Sequence, residues 1–231
     1  NQPDSNTVVD GFILRDGLAN GTDGGAYDRT KCGGGLYIMG KDWEAYPTIQ
    51  NCTFEHNTAK NYGGGAMVNG TGAGSVAPQF IGCRFENNRA LNSGGGLMWL
   101  GASWVEREKD IFSCNFYKNN AGAYGGGLYV VDSERADRLN TSDCQFIENK
   151  AYANGGGIYL SMGRESGSYL IIEDSKFINN EAKDASTLYV GSQNFLYLDT
   201  IYIQNCDFSS SQTNLNNISS SVIIINPLGT S

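Results

Sequence analysis

The sequence predicts an all-β fold, a right-handed parallel β-helix of about seven coils with roughly 30–31 residues in each coil. Two sets of residues recur along the 231-residue chain with this single period. The first set is the last glycine of a Gly triplet, together with its counterpart in a degenerate sixth copy: Gly35, Gly65, Gly96, Gly127, Gly157 and Thr187. The second set is a phenylalanine: Phe54, Phe85, Phe116, Phe146, Phe177 and Phe208. Because two independent markers keep one period, we expect a stacked repeat architecture.

The residues around the glycines indicate that the repeat is built from strands. Glycine in a helix interior costs about 1 kcal/mol relative to alanine, so three adjacent glycines in each copy argue against helical repeats. The segments at 35–38, 127–130 and 157–160 alternate between two faces and contain strand-forming residues. Each unit therefore resembles one coil of short strands and bends. The right-handed coil is the hand that parallel crossover connections favour.

The segment around each phenylalanine predicts a bend between two inward-facing columns. Two places before Phe stands a cysteine or, once, a serine: Cys52, Cys83, Cys114, Cys144, Ser175 and Cys206. The residue before each of these is Asn, Gly, Ser or Asp, and most of these types tolerate a left-handed backbone. A mostly apolar column, Ile49, Phe80, Ile111, Thr141, Ile172 and Ile203, lies two places before the bend. A bend at this place lets both columns face the interior, which a straight strand does not allow.

An asparagine column and a second pair of inward columns complete the repeat. The third place after Phe holds Asn57, Asn88, Asn119, Asn149 and Asn180. An asparagine at a corner can donate hydrogen bonds from one coil to the next and satisfy backbone groups there. The apolar residues that follow the glycines, as in Leu97 and Trp99, predict the second inward pair. Like residues should thus stack on like residues from coil to coil.

The six cysteines are expected to be buried thiols rather than a disulfide framework. Five of them fall in one column, with one cysteine per coil, and buried Cys behaves as a small hydrophobic residue. Vertical disulfides between neighbouring coils are the alternative. A zinc site is disfavoured, because a ladder does not converge on a tetrahedron and the chain has one histidine.

Composition excludes several classes of partner. The formal net charge is −8 and the pI is about 4.6, which disfavours nucleic acid and anionic membranes as partners. No apolar run approaches the ~20 residues that a membrane-spanning helix needs, so this segment is not expected to insert in a membrane. We expect residues 1–231 to form a single β-helix domain. It is predicted to be a monomeric segment of a longer surface protein, because the chain begins partway through a coil.

The two motifs together resemble the repeat of the polymorphic outer-membrane proteins of chlamydial type, which is related to repeats in bacterial surface β-helix proteins. The phenylalanine motif occurs as Phe54-Glu55-His56-Asn57, Phe85-Glu86-Asn87-Asn88, Phe116-Tyr117-Lys118-Asn119, Phe146-Ile147-Glu148-Asn149 and Phe177-Ile178-Asn179-Asn180. The glycine motif departs from the family pattern, because a third glycine stands where the family usually has alanine. The resemblance implies a secreted, β-helical and often adhesive protein of the bacterial cell surface.

An outward-facing column supplies the candidate binding residues. Between the two inward columns after the glycines stand Tyr37, Met67, Met98, Tyr129, Tyr159 and Tyr189. We expect them to be exposed and one coil apart, with Trp43 and Trp104 on the adjoining rim. Such a strip suits a sugar ring or a protein partner. The alternative is a ladder of side chains that serves only to stabilise the sheet.

Acidic residues in the variable loops suggest a second class of function. They are Asp42, Glu44, Glu106, Glu108, Asp110, Asp132, Glu134 and Asp137. Polysaccharide lyases and glycosidases use carboxylates of this kind, the former with calcium. No loop has the dense acidic spacing of a dedicated calcium motif, so no cofactor is predicted beyond weak calcium binding. His56, in a variable position, is expected to be a solvated surface residue.

These observations rank three functions. The first is a non-enzymatic extracellular adhesin or binding scaffold for a protein or glycan of a host or neighbouring cell. The second is a carbohydrate-active β-helix enzyme, and the third is a structural spacer. An enzyme should have a groove in which carboxylates and a basic residue converge, whereas a binding scaffold should have an exposed aromatic strip.

Overall fold

The structure, a computed structural model, describes residues 7–40, 45–71, 76–101, 109–131, 138–162, 168–192, 198–208 and 223–226. In these ranges the regular secondary structure consists of short β-strands, all of which pair in parallel, and no helix is present. The strands form four sheets, named A to D in the order in which each coil passes through them. The predicted all-β parallel β-helix is thereby confirmed.

Sheets A and B lie on either side of the first bend of each coil. Sheet A has eight strands, in the order Val8–Asp10, Thr48–Gln50, Gln79–Ile81, Lys109–Phe112, Arg138–Ser142, Ser168–Glu173, Leu198–Gln204 and Ile223–Asn226. Sheet B has six strands, Ile13–Arg15, Thr53–Glu55, Arg84–Glu86, Asn115–Tyr117, Gln145–Ile147 and Lys176–Ile178.

Sheets C and D complete the coil. Sheet C has five two-residue strands, Leu18–Ala19, Thr58–Ala59, Arg89–Ala90, Asn120–Ala121 and Lys150–Ala151. Sheet D has six strands, Leu36–Met39, Ala66–Asn69, Leu97–Leu100, Leu128–Val131, Ile158–Met162 and Leu188–Ser192. The predicted number of about seven coils is not matched, because the sheets have eight, six, five and six strands in the described residues.

The bend between sheets A and B has the predicted backbone conformation. Its residues have φ angles between 49° and 74°: Gly11, Asn51, Gly82, Ser113, Asp143, Asp174 and Asn205. A second bend follows each phenylalanine, with φ angles between 51° and 56° at Asp16, His56, Asn87, Lys118, Glu148 and Asn179. The sequence placed a corner at the asparagine column but no left-handed residue before it, because lysine and glutamate seldom adopt that conformation.

The core is one continuous column of stacked like residues. Phe85 pairs in register with Phe54 on one side and Phe116 on the other. The phenylalanine rings stack nearly parallel from coil to coil, with centroids 4.7–5.1 Å apart. Trp99 is fully buried, and its ring meets Phe80 edge-on with centroids 6.1 Å apart. Each aromatic ring removed from water stabilises the fold by roughly 1.5–3 kcal/mol.

The Gly triplet is explained by the distance between successive coils. Gly94 has φ +70°, a conformation that L side chains rarely adopt. A Cβ atom on Gly95 would lie 2.5 Å from the carbonyl oxygen of Gly126 in the next coil. A Cβ atom on Gly96 would lie 2.6 Å from the carbonyl oxygen of Gly127. The first glycine thus makes the turn, and the other two permit the backbones to touch.

The asparagines form a buried hydrogen-bonded ladder at the corner before sheet C. The Asn119 Nδ2 donates to the carbonyl oxygen of Phe85 at 2.8 Å and to Oδ1 of Asn149 at 3.0 Å. The Asn119 Oδ1 accepts from both the backbone N and the Nδ2 of Asn88, at 3.1 and 3.0 Å. Each side chain therefore satisfies backbone groups of the preceding coil, which would otherwise be buried without partners.

The cysteines are free thiols in the described part of the chain. The Cys83 Sγ donates to the carbonyl oxygen of Ile49 at 3.3 Å, and the Cys114 N donates to Cys144 Sγ at 3.4 Å. Ser175 takes the same role with its hydroxyl oxygen, 3.1 Å from the N of Cys144. Burial raises the pKa of Cys114 well above its ordinary value, which keeps this thiol protonated and unreactive.

We predict that Asn119→Ala lowers the free energy of unfolding by roughly 3–5 kcal/mol, because it removes four hydrogen bonds and leaves buried polar groups unpaired. Chemical denaturation of the purified chain measures this change. Asn120→Ala is the matched control, because Asn120 is exposed at the adjacent position. Equal effects of the two substitutions would contradict the role of the ladder.

Candidate functional site

The outer face of sheet D carries the candidate binding residues. In each strand the first and third residues face the core and the second faces outward. The second residues pair in register from strand to strand: Tyr37, Met67, Met98, Tyr129, Tyr159 and Tyr189. They therefore form one column along the outside of the helix.

The column is not exposed throughout, and the prediction of an exposed side chain was wrong for Met98. Met67 and Met98 are 0% and 1% exposed. They pack with Cys32 and Leu100 in a small apolar cluster outside sheet D, which Tyr37, Tyr62, Tyr129 and Val131 partly cover. Cys32 stands immediately before its Gly triplet, the place that Tyr62 holds in the next coil, so residues at this place lie beside the column and supply apolar cover. Met98 is therefore a packing residue and not a surface available to a ligand.

Tyrosines predominate in the C-terminal half of the column. Tyr159 and Tyr189 stack with ring centroids 4.6 Å apart and an interplanar angle of 12°. Tyr129 meets Tyr159 edge-on at 5.1 Å, and Tyr124 lies 4.8 Å from Tyr159. All four residues are half-buried. We call Tyr124, Tyr129, Tyr159 and Tyr189 the tyrosine strip.

The tyrosine strip is uncharged at neutral pH and poorly hydrated. Burial raises the pKa of Tyr159 to about 12, and the neighbouring tyrosines Tyr189 and Tyr124 add to this shift. Burial likewise raises the pKa of Tyr129 far above its ordinary value, again with help from nearby tyrosines. Tyrosine side chains, which combine an apolar ring with a hydroxyl group, are enriched at protein interfaces.

Tyr37 belongs to a separate site. It is separated from the strip by the buried Met67 and Met98, and its hydroxyl donates to the carbonyl oxygen of Tyr27 at 2.8 Å. Its ring lines a cleft between the 20–32 segment and the edge of sheet D. The predicted candidates thus fall in two places along the same face.

Several sequence-derived candidates are not brought into a site. Trp43 and Trp104 lie outside the described residues, as do all the acidic loop candidates except Asp110. Asp110 is in sheet A, where its Oδ2 accepts from Gln79 Nε2 at 2.9 Å. His56 is exposed at the second bend. In the described ranges no three His, Cys, Asp or Glu side chains are grouped closely enough to hold a metal ion.

Sequence reasoning missed two aromatic residues that contribute to this face. Tyr62 and Tyr124 stand immediately before the Gly triplets of their repeats, and each forms an isolated bridge to the corresponding residue of the next coil. Tyr124 joins the strip, and Tyr62 contacts Tyr27 with ring centroids 5.1 Å apart. The sequence signal for these two residues was a tyrosine immediately before the Gly triplet in every second repeat.

Comparison with known proteins identifies one repeat. The family model described as the Chlamydia polymorphic membrane protein repeat matches residues 143–161, which run from the first bend through sheet D. This match confirms the resemblance seen in the motifs, at the level of the repeat. Searches of curated proteins and of solved structures gave no match. The repeat type indicates a β-helical chain of the surface-exposed kind.

The described residues contain no helix of the length and apolarity needed to cross a membrane.

We predict that Tyr159 makes stability decrease between about pH 10 and pH 12. The unfolded chain releases this phenolic proton near the ordinary pKa of 10.0, whereas the folded chain holds it to about 12. The contribution is therefore complete below pH 10 and is lost as the pH rises through the folded pKa. Melting temperatures of the native chain and of Tyr159→Phe, compared across this range, test the prediction. Parallel pH profiles would contradict it.

Proposed function

We propose that this chain is a non-enzymatic binding scaffold of the bacterial outer surface, and that its tyrosine strip binds a protein on a host or neighbouring cell. The observation that carries the proposal is a ladder of half-buried, uncharged tyrosines on the outside of a β-helix. The match of residues 143–161 to a polymorphic membrane protein repeat supports an extracellular, surface location.

The scaffold makes the strip an efficient contact surface. Tyr129 and Tyr159 stand on strands of sheet D that pair with neighbours on both sides, Tyr189 stands on the last strand, and Tyr124 bridges Asn154 of the next coil. The rings are held by their neighbours, so a partner has little side-chain entropy to remove on binding. Rigid aromatic side chains of this type are the most frequent energetic centres of interfaces.

The geometry of the rings favours protein over glycan at this strip. A sugar stacks on a free aromatic face, but Tyr159 has Tyr189 stacked on it at 4.6 Å and two further rings within 5.1 Å. The strip consequently presents mainly ring edges and hydroxyl groups. Such groups contact apolar side chains and backbone polar groups of a protein partner. The net charge of −8 further favours a partner surface that is neutral or basic.

The experiment is a binding screen of the full 231-residue chain. The probes are a panel of purified cell-surface ectodomains and, in parallel, a glycan array. For any ectodomain that binds, we expect Tyr159→Ala and Tyr189→Ala each to weaken affinity by roughly tenfold or more. Tyr152→Ala is the matched control, because Tyr152 is 79% exposed and follows sheet C rather than sheet D. Melting temperatures show whether each variant remains folded.

Two results would overturn the proposal. The first is ectodomain binding that both strip substitutions leave unchanged. The second is an enzymatic result: release of sugar ends from a polysaccharide that alanine at Glu106, Glu108 or Asp132 abolishes. That outcome would favour the carbohydrate-active enzyme instead. Binding confined to the glycan array and sensitive to Tyr159→Ala would retain the scaffold and replace the protein partner by a glycan.

A further inference from the structure

We infer that a second site, in a cleft between the 20–32 segment and the edge of sheet D, binds a neutral saccharide of one or two residues. The cleft has a volume of about 440 Å³, which suits a ligand of this size. Its lining includes Tyr27, Asp28, Arg29, Tyr37, Met39 and Asn69. It goes beyond the proposed function, because none of these residues belongs to the tyrosine strip.

The walls of the cleft offer apolar surface for the C–H face of a sugar ring. Tyr27 keeps 38% of its surface exposed although its ring lies 5.1 Å from Tyr62. Met39 is 44% exposed at the edge of sheet D. An exposed aromatic side chain beside a flexible thioether is unusual on a solvated surface unless it has a contact to make.

Polar groups at the base of the cleft are fixed in position. The buried Asn69 donates from Nδ2 to the Tyr37 hydroxyl at 2.7 Å, and its Oδ1 accepts from the N and Oγ1 of Thr71 at 2.9 and 2.6 Å. The Tyr37 hydroxyl in turn donates to the Tyr27 carbonyl oxygen. These contacts leave one acceptor position on the Tyr37 oxygen for a ligand hydroxyl.

A carboxylate and a guanidinium complete the polar set. Asp28 Oδ1 accepts from the N and Oγ1 of Thr30, at 2.8 and 2.7 Å, which orients the carboxylate and holds its pKa below the ordinary value. Arg29 lines the same cleft with the opposite charge. A carboxylate accepts two adjacent hydroxyl groups of a hexose, and an arginine donates to ring or hydroxyl oxygens.

Hydrogen bonds hold the 20–32 segment in place, so the cleft is already formed without a ligand. Asn61 Nδ2 donates to the Ala26 carbonyl oxygen at 2.7 Å, and Gly21 N donates to the Thr30 carbonyl oxygen at 2.8 Å. Lys31 Nζ donates to the Gly24 carbonyl oxygen at 2.7 Å. Because these bonds hold the loop, no entropy is lost in ordering it when a ligand binds. The affinity for a small ligand is correspondingly higher.

A neutral saccharide fits these groups better than an anion or a metal ion. Asp28 and the net charge of −8 oppose an acidic ligand. Calcium prefers six to eight oxygen ligands, and Asp28 is the single carboxylate in this lining. An aromatic ring, a carboxylate, an amide and a guanidinium around a small cleft match the alternating apolar and hydroxyl faces of a hexose.

The test is titration of the full chain with methyl glycosides of glucose, galactose, mannose and N-acetylglucosamine, and with methyl glucuronide as the acidic counterpart. Calorimetry gives the affinity, and saturation-transfer NMR identifies the ligand face in contact. At least one neutral glycoside should bind. Tyr27→Ala should weaken that binding by roughly tenfold. Tyr27→Phe should retain affinity within about twofold, because it keeps the ring, and Asp28→Asn should weaken binding.

Controls separate this site from loss of folding and from the strip. Tyr152→Ala and Tyr159→Ala should leave saccharide affinity unchanged, and Tyr27→Phe shows that the loop tolerates substitution. The inference is overturned if no neutral glycoside binds. It is also overturned if Tyr27→Ala and Asp28→Asn leave binding unchanged, or if the glucuronide binds more tightly than its neutral counterpart. None of these outcomes bears on ectodomain binding at the tyrosine strip.

Discussion

The close contact of successive backbones at the glycine columns is the constraint on which the rest of the structure depends. At Gly64, Gly95 and Gly126 an added Cβ atom would lie 2.4–2.5 Å from a carbonyl oxygen of the next coil. No side chain fits in that space. Because the coils meet there without an intervening atom, hydrogen bonds pass from coil to coil in every sheet, and like residues fall into register. The phenylalanine and asparagine ladders are consequences of this spacing, and each stabilises it in turn.

This constraint also separates the interior from the functional surface. In the interior, similar residues recur at each position of the repeat. A substitution in one coil therefore changes the packing against the coils on both sides. Outside sheet D, the residues are held at coil spacing but are free to vary, as the change from Met67 and Met98 to Tyr129 and Tyr159 illustrates. A rigid core thereby presents variable side chains at fixed intervals. That arrangement is the scaffold on which the proposed binding strip stands.

The interior could be predicted from the sequence because it is periodic. The columns of Phe85, Asn88 and Leu97 follow from counting, and the first bend follows from Asn and Asp at a fixed place. The second bend could not be predicted in this way, since Lys118 and Glu148 give no local signal and adopt a left-handed backbone only because neighbouring coils dictate the turn. The candidate sites were harder still. Burial of Met98 depends on side chains of neighbouring coils such as Tyr62 and Tyr129, and the cleft beside Tyr27 depends on the 20–32 segment, which occurs in one coil.

The central claim is that the backbones of adjacent coils touch at the glycine columns, and substitution of Gly96, in the column of the third glycine, tests it directly. A Cβ atom there meets the Gly127 carbonyl oxygen at 2.6 Å and a Phe116 ring carbon at 3.1 Å. Gly96→Ala should lower the free energy of unfolding in urea by roughly 2–3 kcal/mol. Gly25→Ala, where an added Cβ meets nothing within 4 Å, should leave it nearly unchanged. Equal stability of the two variants would contradict the claim.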